Sequence, residues 1–173
     1  MSRRPLTLLI TGLDLSYAPT VNPTMDTNAM RTFLDKSMGT LNAVPNLYTH
    51  RFHPDPSAPA DAANSLAAVK RLIKDGPPPQ GGDVTAAQER GEETTSGPPG
   101  APSKRWDGFM VGGGIRLNTP LTWLMEELVN AVAQEGKGET RLLFVGVGDH
   151  WECVKRGFPE LGMGERPEGG QVR

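Results

Sequence analysis

Four short apolar runs recur along this chain, each followed by a stretch with helical spacing, and that alternation constrains the fold more than any other feature. The first run, Leu6 to Leu13, is interrupted only by Thr7, Thr11 and Gly12 and is closed by Asp14. Such a run suits a strand buried on both faces. The second, Leu47 to Phe52, mixes apolar and polar residues before Pro54 and Pro56, the pattern of an edge strand. Phe109 to Val111 is the third, and "RLLFVGV" supplies the fourth.

The intervening stretches read as helices. Thr24 is an expected N-cap, with Met30, Phe33, Leu34 and Leu41 on one face. Asp61 is expected to cap a second helix, whose Leu66, Val69, Leu72 and Ile73 form a stripe with Lys70, Arg71 and Lys74 outside. Asn118 or Thr119, ahead of Pro120, opens a third, in which Leu121, Leu124, Met125, Leu128, Val129 and Val132 repeat at helical spacing. Asp149 is expected to cap a short last helix carrying Trp151, Cys153 and Val154.

Strand then helix, four times over, calls for an α/β fold: a three-layer sandwich around a four-stranded parallel sheet with right-handed crossovers. The order 2-1-3-4 puts the polar second strand at an edge and the apolar first and third inside. It also leaves the apolar fourth strand at an open edge, so a homodimer through that edge is expected. The residues of this sheet, 1–158, read as a single domain with one interruption. From Asp75 to Arg105, six glycines and six prolines occur among 31 residues with Val84 as the one large aliphatic side chain, too little apolar surface to offset the entropy of ordering. That insertion is expected to be disordered, and the tail 159–173 flexible.

Charge and cysteine usage exclude several classes. A net charge of −2 with scattered basic residues argues neither for nucleic acid nor for an anionic membrane. The opening "MSRRPLTLLITGLDL" has the order of a leader, but its apolar run is short and reads as a strand. One cysteine, Cys153, permits no internal disulfide and fits a cytoplasmic location. His150 and the helix start stand near that thiol, yet beside Trp151 and Val154 it reads as packing.

Ligands of open parallel sheets sit beyond the carboxyl ends of the strands. The fold brings Gly12, Asp14, His53, Gly112, Gly113, Gly114, Arg116, Asn118, Asp149 and His150 to that rim. Three consecutive glycines clear the backbone, a following helix start offers N–H groups, and Arg116 can grip a carboxylate or phosphate. The alternative is that the glycines only permit a tight turn while Arg116 pairs with Asp14 or Asp149. Gly112 and Gly114 are followed by Leu117 where a dinucleotide fingerprint needs glycine, and neither a phosphate loop nor a nucleophile elbow is present. The histidines and acids lack metal-ligand spacing, so no metal is expected, and no cofactor is specified.

The segments "LLITGLD", "FMVGGGIRLNTP", "LMEELVNAV" and "RLLFVGVGD" together resemble a group of small α/β proteins of bacteria and fungi that has no assigned reaction. The resemblance spans residues 5–74 and 105–158, and its most specific element is Gly112 to Arg116. It implies a flavodoxin-like architecture and points to Arg116. Similar proteins carry an Asn-Thr turn after the fourth strand, whereas this chain has "GVGDHWEC". The function expected is an enzyme acting on a small anionic metabolite, with His53 or His150 moving a proton. A non-catalytic module for a nucleotide or flavin at the same edge is one alternative. An interaction subunit using the fourth strand and the insertion is another.

Overall fold

The structure is a computed structural model, and it describes residues 4–54, 59–78, 92–96, 105–146 and 149–165. Four strands of its sheet run parallel: β1 (Leu6–Thr11), β2 (Leu47–Phe52), β4 (Gly108–Val111) and β5 (Arg141–Phe144). They lie side by side as β2-β1-β4-β5, which is the expected order 2-1-3-4. Helices cover both faces.

A fifth strand, β3 (Glu92–Ser96), pairs antiparallel with the outer side of β2, so β2 lies between two strands and is not the edge its polar pattern implies. These five residues fall inside the segment expected to be disordered. Main-chain pairing to an open strand edge needs no apolar side chain, and Thr94 and Thr95 favour extended backbone. The margins of the expected insertion are ordered as well: Asp75 closes the helix Pro59–Asp75, the Pro78 carbonyl accepts from the Tyr48 hydroxyl at 2.7 Å, and Arg105 pairs with Glu139, while residues 79–91 and 97–104 lie outside the described residues. Of the expected tail, Leu161 and Met163 pack against the core around the short 3₁₀ turn Pro159–Leu161.

Local hydrogen-bonding competition moves several helix starts. A single-turn α1 (Ala18–Val21) precedes α2 (Thr27–Asn42), which begins three residues after Thr24. Asn22 engages the Thr24 amide and hydroxyl instead, at 3.2 and 2.8 Å. Asp26 is the N-cap, accepting from the amides of Asn28 and Ala29 at 3.0 and 2.9 Å. Helix α3 (Pro59–Asp75) starts at a proline, whose fixed φ suits a first position, so Asp61 lies within it rather than capping it. The glycines give α4 (Gly113–Arg116), a lone turn. Asn118 then precedes the 3₁₀ turn Thr119–Leu121, and α5 (Thr122–Glu135) begins only after it. Asp149 stands before α6 (His150–Gly157) without a capping bond from its side chain.

Each face of the sheet has its own core. Leu9, Phe52, Phe109 and Val111 pack against Val69 and Ile73 of α3 and Leu124, Leu128 and Val132 of α5. On the other face, Leu8, Ile10, Leu47, Met110 and Leu143 meet Met38 and Leu41 of α2 and Cys153, Val154 and Phe158 around α6. Full burial of each large aliphatic side chain contributes about 1.5–3 kcal/mol. His50, placed on the first face by strand alternation, is buried with its ring 5.9 Å from that of Trp106, a core position.

At the amino end of the sheet, Asp107 ties β1 to β4. Its carboxylate accepts from both Arg4 guanidinium nitrogens at 2.6 and 2.9 Å, and from the amide and hydroxyl of Thr7 at 2.8 and 3.0 Å. Among the described residues, no helix is long and apolar enough to cross a membrane.

Candidate functional site

A cleft of about 160 Å³ opens at the carboxyl end of the sheet, on the face that carries α2 and α6. Its floor is the strand exits: Thr11 to Leu15 after β1, Arg51 and His53 at β2, Gly112 to Gly114 after β4 and Gly146 after β5. Ala18, Met25, Met30, Leu34 and Met38 line the opposite side, and His150 stands at the start of α6. Only Ser37, Met38 and Leu41 of α2 are buried. The carboxyl half of this helix therefore packs, while Met30, Phe33 and Leu34 in its amino half are only half-buried, two of them over the cleft.

Of the residues singled out from sequence, Gly12, Asp14, His53, Gly112, Gly113, Gly114 and His150 line the cleft together. Arg116, Asn118 and Asp149 do not. Arg116 is exposed, and among the described residues it forms no ion pair with Asp14 or Asp149. Asp14 holds its own loop through the Ser16 amide at 2.7 Å.

Close packing accounts for the first of the three glycines. Gly112 has an ordinary extended conformation, but a Cβ there would come within 3.0 Å of the Thr11 carbonyl oxygen and 3.2 Å of the Gly12 Cα. Two strand exits thus pass backbone to backbone. At Gly114 an added Cβ would meet only the Leu13 side chain, at 3.4–3.5 Å. The Gly112 amide donates to Thr11 at 2.7 Å, and the amides of Ile115, Arg116, Leu117, Asn118 and Leu121 all donate to nearby carbonyls. Gly113 and Gly114 alone head the turn, and a four-residue helix has little dipole to add.

Polar side chains mark the two ends of the cleft. At the β2 end, Arg51, His53 and Asp14 border a smaller adjoining hollow of about 50 Å³ that also meets Arg31 and Asp35. His53 Nδ1 lies 3.3 Å from the Gly12 carbonyl, and since a carbonyl only accepts, that nitrogen donates. At the β5 end, His150 Nδ1 and Ser37 Oγ are 3.1 Å apart, joining α6 to α2 in a buried pair. The exits of β2 and β5 are three strand spacings apart, about 14 Å of sheet. His53 and His150 therefore address different parts of any occupant.

Cys153 is fully enclosed, its thiol 3.6 Å from the Phe144 carbonyl. Burial pushes this thiol up, outweighing the positive charges of Arg156 and Arg116 that pull it down. A protonated thiol away from the cleft has no place in nucleophilic chemistry there. Among the described residues, no group of three or more His, Cys, Asp or Glu is set to hold a metal ion.

Sequence reasoning missed Arg51, Ser37 and the methionines. Alternation along β2 carried a signal for Arg51, because it shares a strand face with Thr49, opposite Phe52, and precedes His53 by two residues. No local pattern announced Ser37, whose significance comes from an α6 residue 113 positions away.

Set beside known protein families, curated proteins and solved structures, the chain matches no family model, no curated protein and no solved structure. Fold and cleft together define its class: a three-layer α/β protein with a largely apolar cleft across the carboxyl edge of a parallel sheet.

Proposed function

We propose that this chain binds a small organic carboxylate with an apolar body, its charged head at Arg51 and His53 and its body along Met25, Met30, Leu34 and Met38. The observation that carries this reading is the composition of the cleft: apolar side chains along its length and, where β2 ends, Arg31, Arg51 and His53 interleaved with the carboxylates of Asp14 and Asp35. About 160 Å³ is on the order of the space that accommodates a single benzene ring, roughly 150 Å³. A phosphate is the weaker candidate, because most amides of the glycine turn already have carbonyl partners. Methionine adapts its shape to a ligand body better than branched side chains do. An enzyme built on this cleft would exchange its substrate's proton at the carboxylate end, where His53 stands.

Isothermal titration with phenylacetate, hexanoate and inorganic phosphate tests the reading. Both carboxylates are expected to bind and phosphate not. Leu34→Trp, which fills the cleft from an already half-buried position, should abolish binding without loss of fold. Arg51→Ala should weaken it about tenfold, the effect of a charge-assisted hydrogen bond. Arg116→Ala should leave it unchanged. Binding that survives Leu34→Trp, or that depends on Arg116, would sink this assignment.

The homodimer rests on a separate observation. Among the described residues no strand pairs with the outer side of β5, and Phe144 there is 37% exposed. Light scattering at high protein concentration checks it, and a monomer throughout rules it out.

A further inference from the structure

The hollow beside the cleft carries charges of both signs. Asp14, Leu15, Leu34, Arg51 and His53 line cleft and hollow alike, so the two spaces are continuous at the end of β2. Arg31 and Asp35 of α2 complete the hollow, and a separation of four positions puts them on one face of that helix. Both are exposed, and neither forms an ion pair among the described residues. Two arginines and two aspartates thus border one small space, and their formal charges cancel. A hollow of about 50 Å³ leaves a carboxylate head no room to keep clear of both aspartates, and like charges at that range oppose binding. A head group that carries one positive and one negative charge meets no such opposition.

We propose that the head of the occupant is zwitterionic, so that cleft and hollow together take an α-amino acid with an apolar side chain. This deepens the proposed function and rests on it. The carboxylate of the amino acid lies at Arg51 and His53 with Arg31 as a second guanidinium, and its ammonium donates to the Asp35 carboxylate. Its side chain runs between Met30, Leu34 and Met38. In an α-amino acid both charged groups sit on one carbon, so side chains a single helical turn apart can hold the two together. The hydrogen-bonding roles match as well, since guanidinium and ammonium only donate and ionised carboxylates only accept. Asp14 is already engaged by the Ser16 amide at 2.7 Å, so the ammonium falls to Asp35. A cleft of about 160 Å³ then fits an amino acid whose side chain ends in one aromatic ring, itself roughly 150 Å³ in need of space.

Titration of the full chain with L-phenylalanine, hydrocinnamate and phenethylamine provides the test, because the second lacks the ammonium and the third the carboxylate. L-phenylalanine is expected to bind about fivefold more tightly than hydrocinnamate, the upper worth of one solvent-exposed ion pair, and more tightly than phenethylamine. Asp35→Asn should abolish that preference by weakening L-phenylalanine and strengthening hydrocinnamate, since it takes a partner from one and a like charge from the other. Arg31→Gln should weaken both carboxylates and strengthen phenethylamine. Opposite shifts for two ligands in one variant do not arise from a role in packing. The three-ligand comparison on the unaltered protein decides even where a variant fails to fold. Hydrocinnamate binding as tightly as L-phenylalanine, or a preference that persists in Asp35→Asn, overturns the amino-acid assignment and leaves the carboxylate cleft standing. Phenethylamine binding most tightly of the three, or failure of all three to bind, overturns both.

Discussion

The two ends of the sheet are built from the same strands yet differ in what their polar groups border. At the amino end, Asp107 takes the Arg4 guanidinium and both polar groups of Thr7, Thr140 donates to the Trp106 carbonyl at 2.9 Å, and the Trp106 indole donates to the Leu72 carbonyl at 2.7 Å. Every one of these bonds closes on the protein itself. At the carboxyl end, Asp14, His53 and His150 also bond within the protein, to the Ser16 amide, the Gly12 carbonyl and Ser37, yet they and Arg51 line a cleft. One end of the sheet is thus closed by a network between β1 and β4, while the other end opens into a cleft.

The comparison can be broken most severely at Asp107. Asp107→Ala strands the buried Thr7 amide without its acceptor and should cost about 2–3 kcal/mol in urea denaturation, while leaving the cleft able to bind. Arg4 is largely exposed, so Arg4→Ala should cost under about 1 kcal/mol. Equal losses from the two variants would mean that the ion pair, and not the Thr7 bonds, holds that end.

A smaller effect separates two glycines of the carboxyl end. Gly112→Ala forces the Thr11 and Gly12 backbone aside and should cost about 1–3 kcal/mol. Gly114→Ala meets only a movable leucine side chain within a helical turn, and should change stability by less than about 0.5 kcal/mol. If Gly114 proves the more sensitive, the close passage of the β1 and β4 exits is not what the glycines serve.

The smallest effect concerns Cys153, which belongs to the core despite its nearness to the carboxyl edge. Its raised thiol should react with a disulfide reagent at pH 8 at least about tenfold more slowly than free cysteine, and rapidly once urea unfolds the chain. Fast labelling of the native protein would place the thiol in the accessible end of the molecule instead.

Much of this architecture was legible because its signals are local. Apolar runs of strand length and stripes at helical spacing specify which face of each element is buried, and Val69, Ile73, Leu124, Leu128 and Val132 are buried as their spacing requires. The helix starts were less legible. At Thr24 and Asp61 an acceptable capping residue lost to a neighbour, Asn22 with its own turn in one case and Pro59 in the other. Single-residue propensity does not rank such competitors.

By itself, then, the sequence determined the four strand–helix units, the parallel order of their strands and the rim at which a site would form. Only the tertiary structure decided which residues share that rim. Arg116 follows the glycines by two positions, yet the turn of α4 carries it off the cleft. Arg51 and Met38 reach the same space from β2 and α2, with no spacing in the chain to link them. The physical reason is one of range: periodicity reports what happens within a turn or two of backbone, whereas a cleft is the gap between elements, and its lining depends on how far each strand runs and where each helix begins.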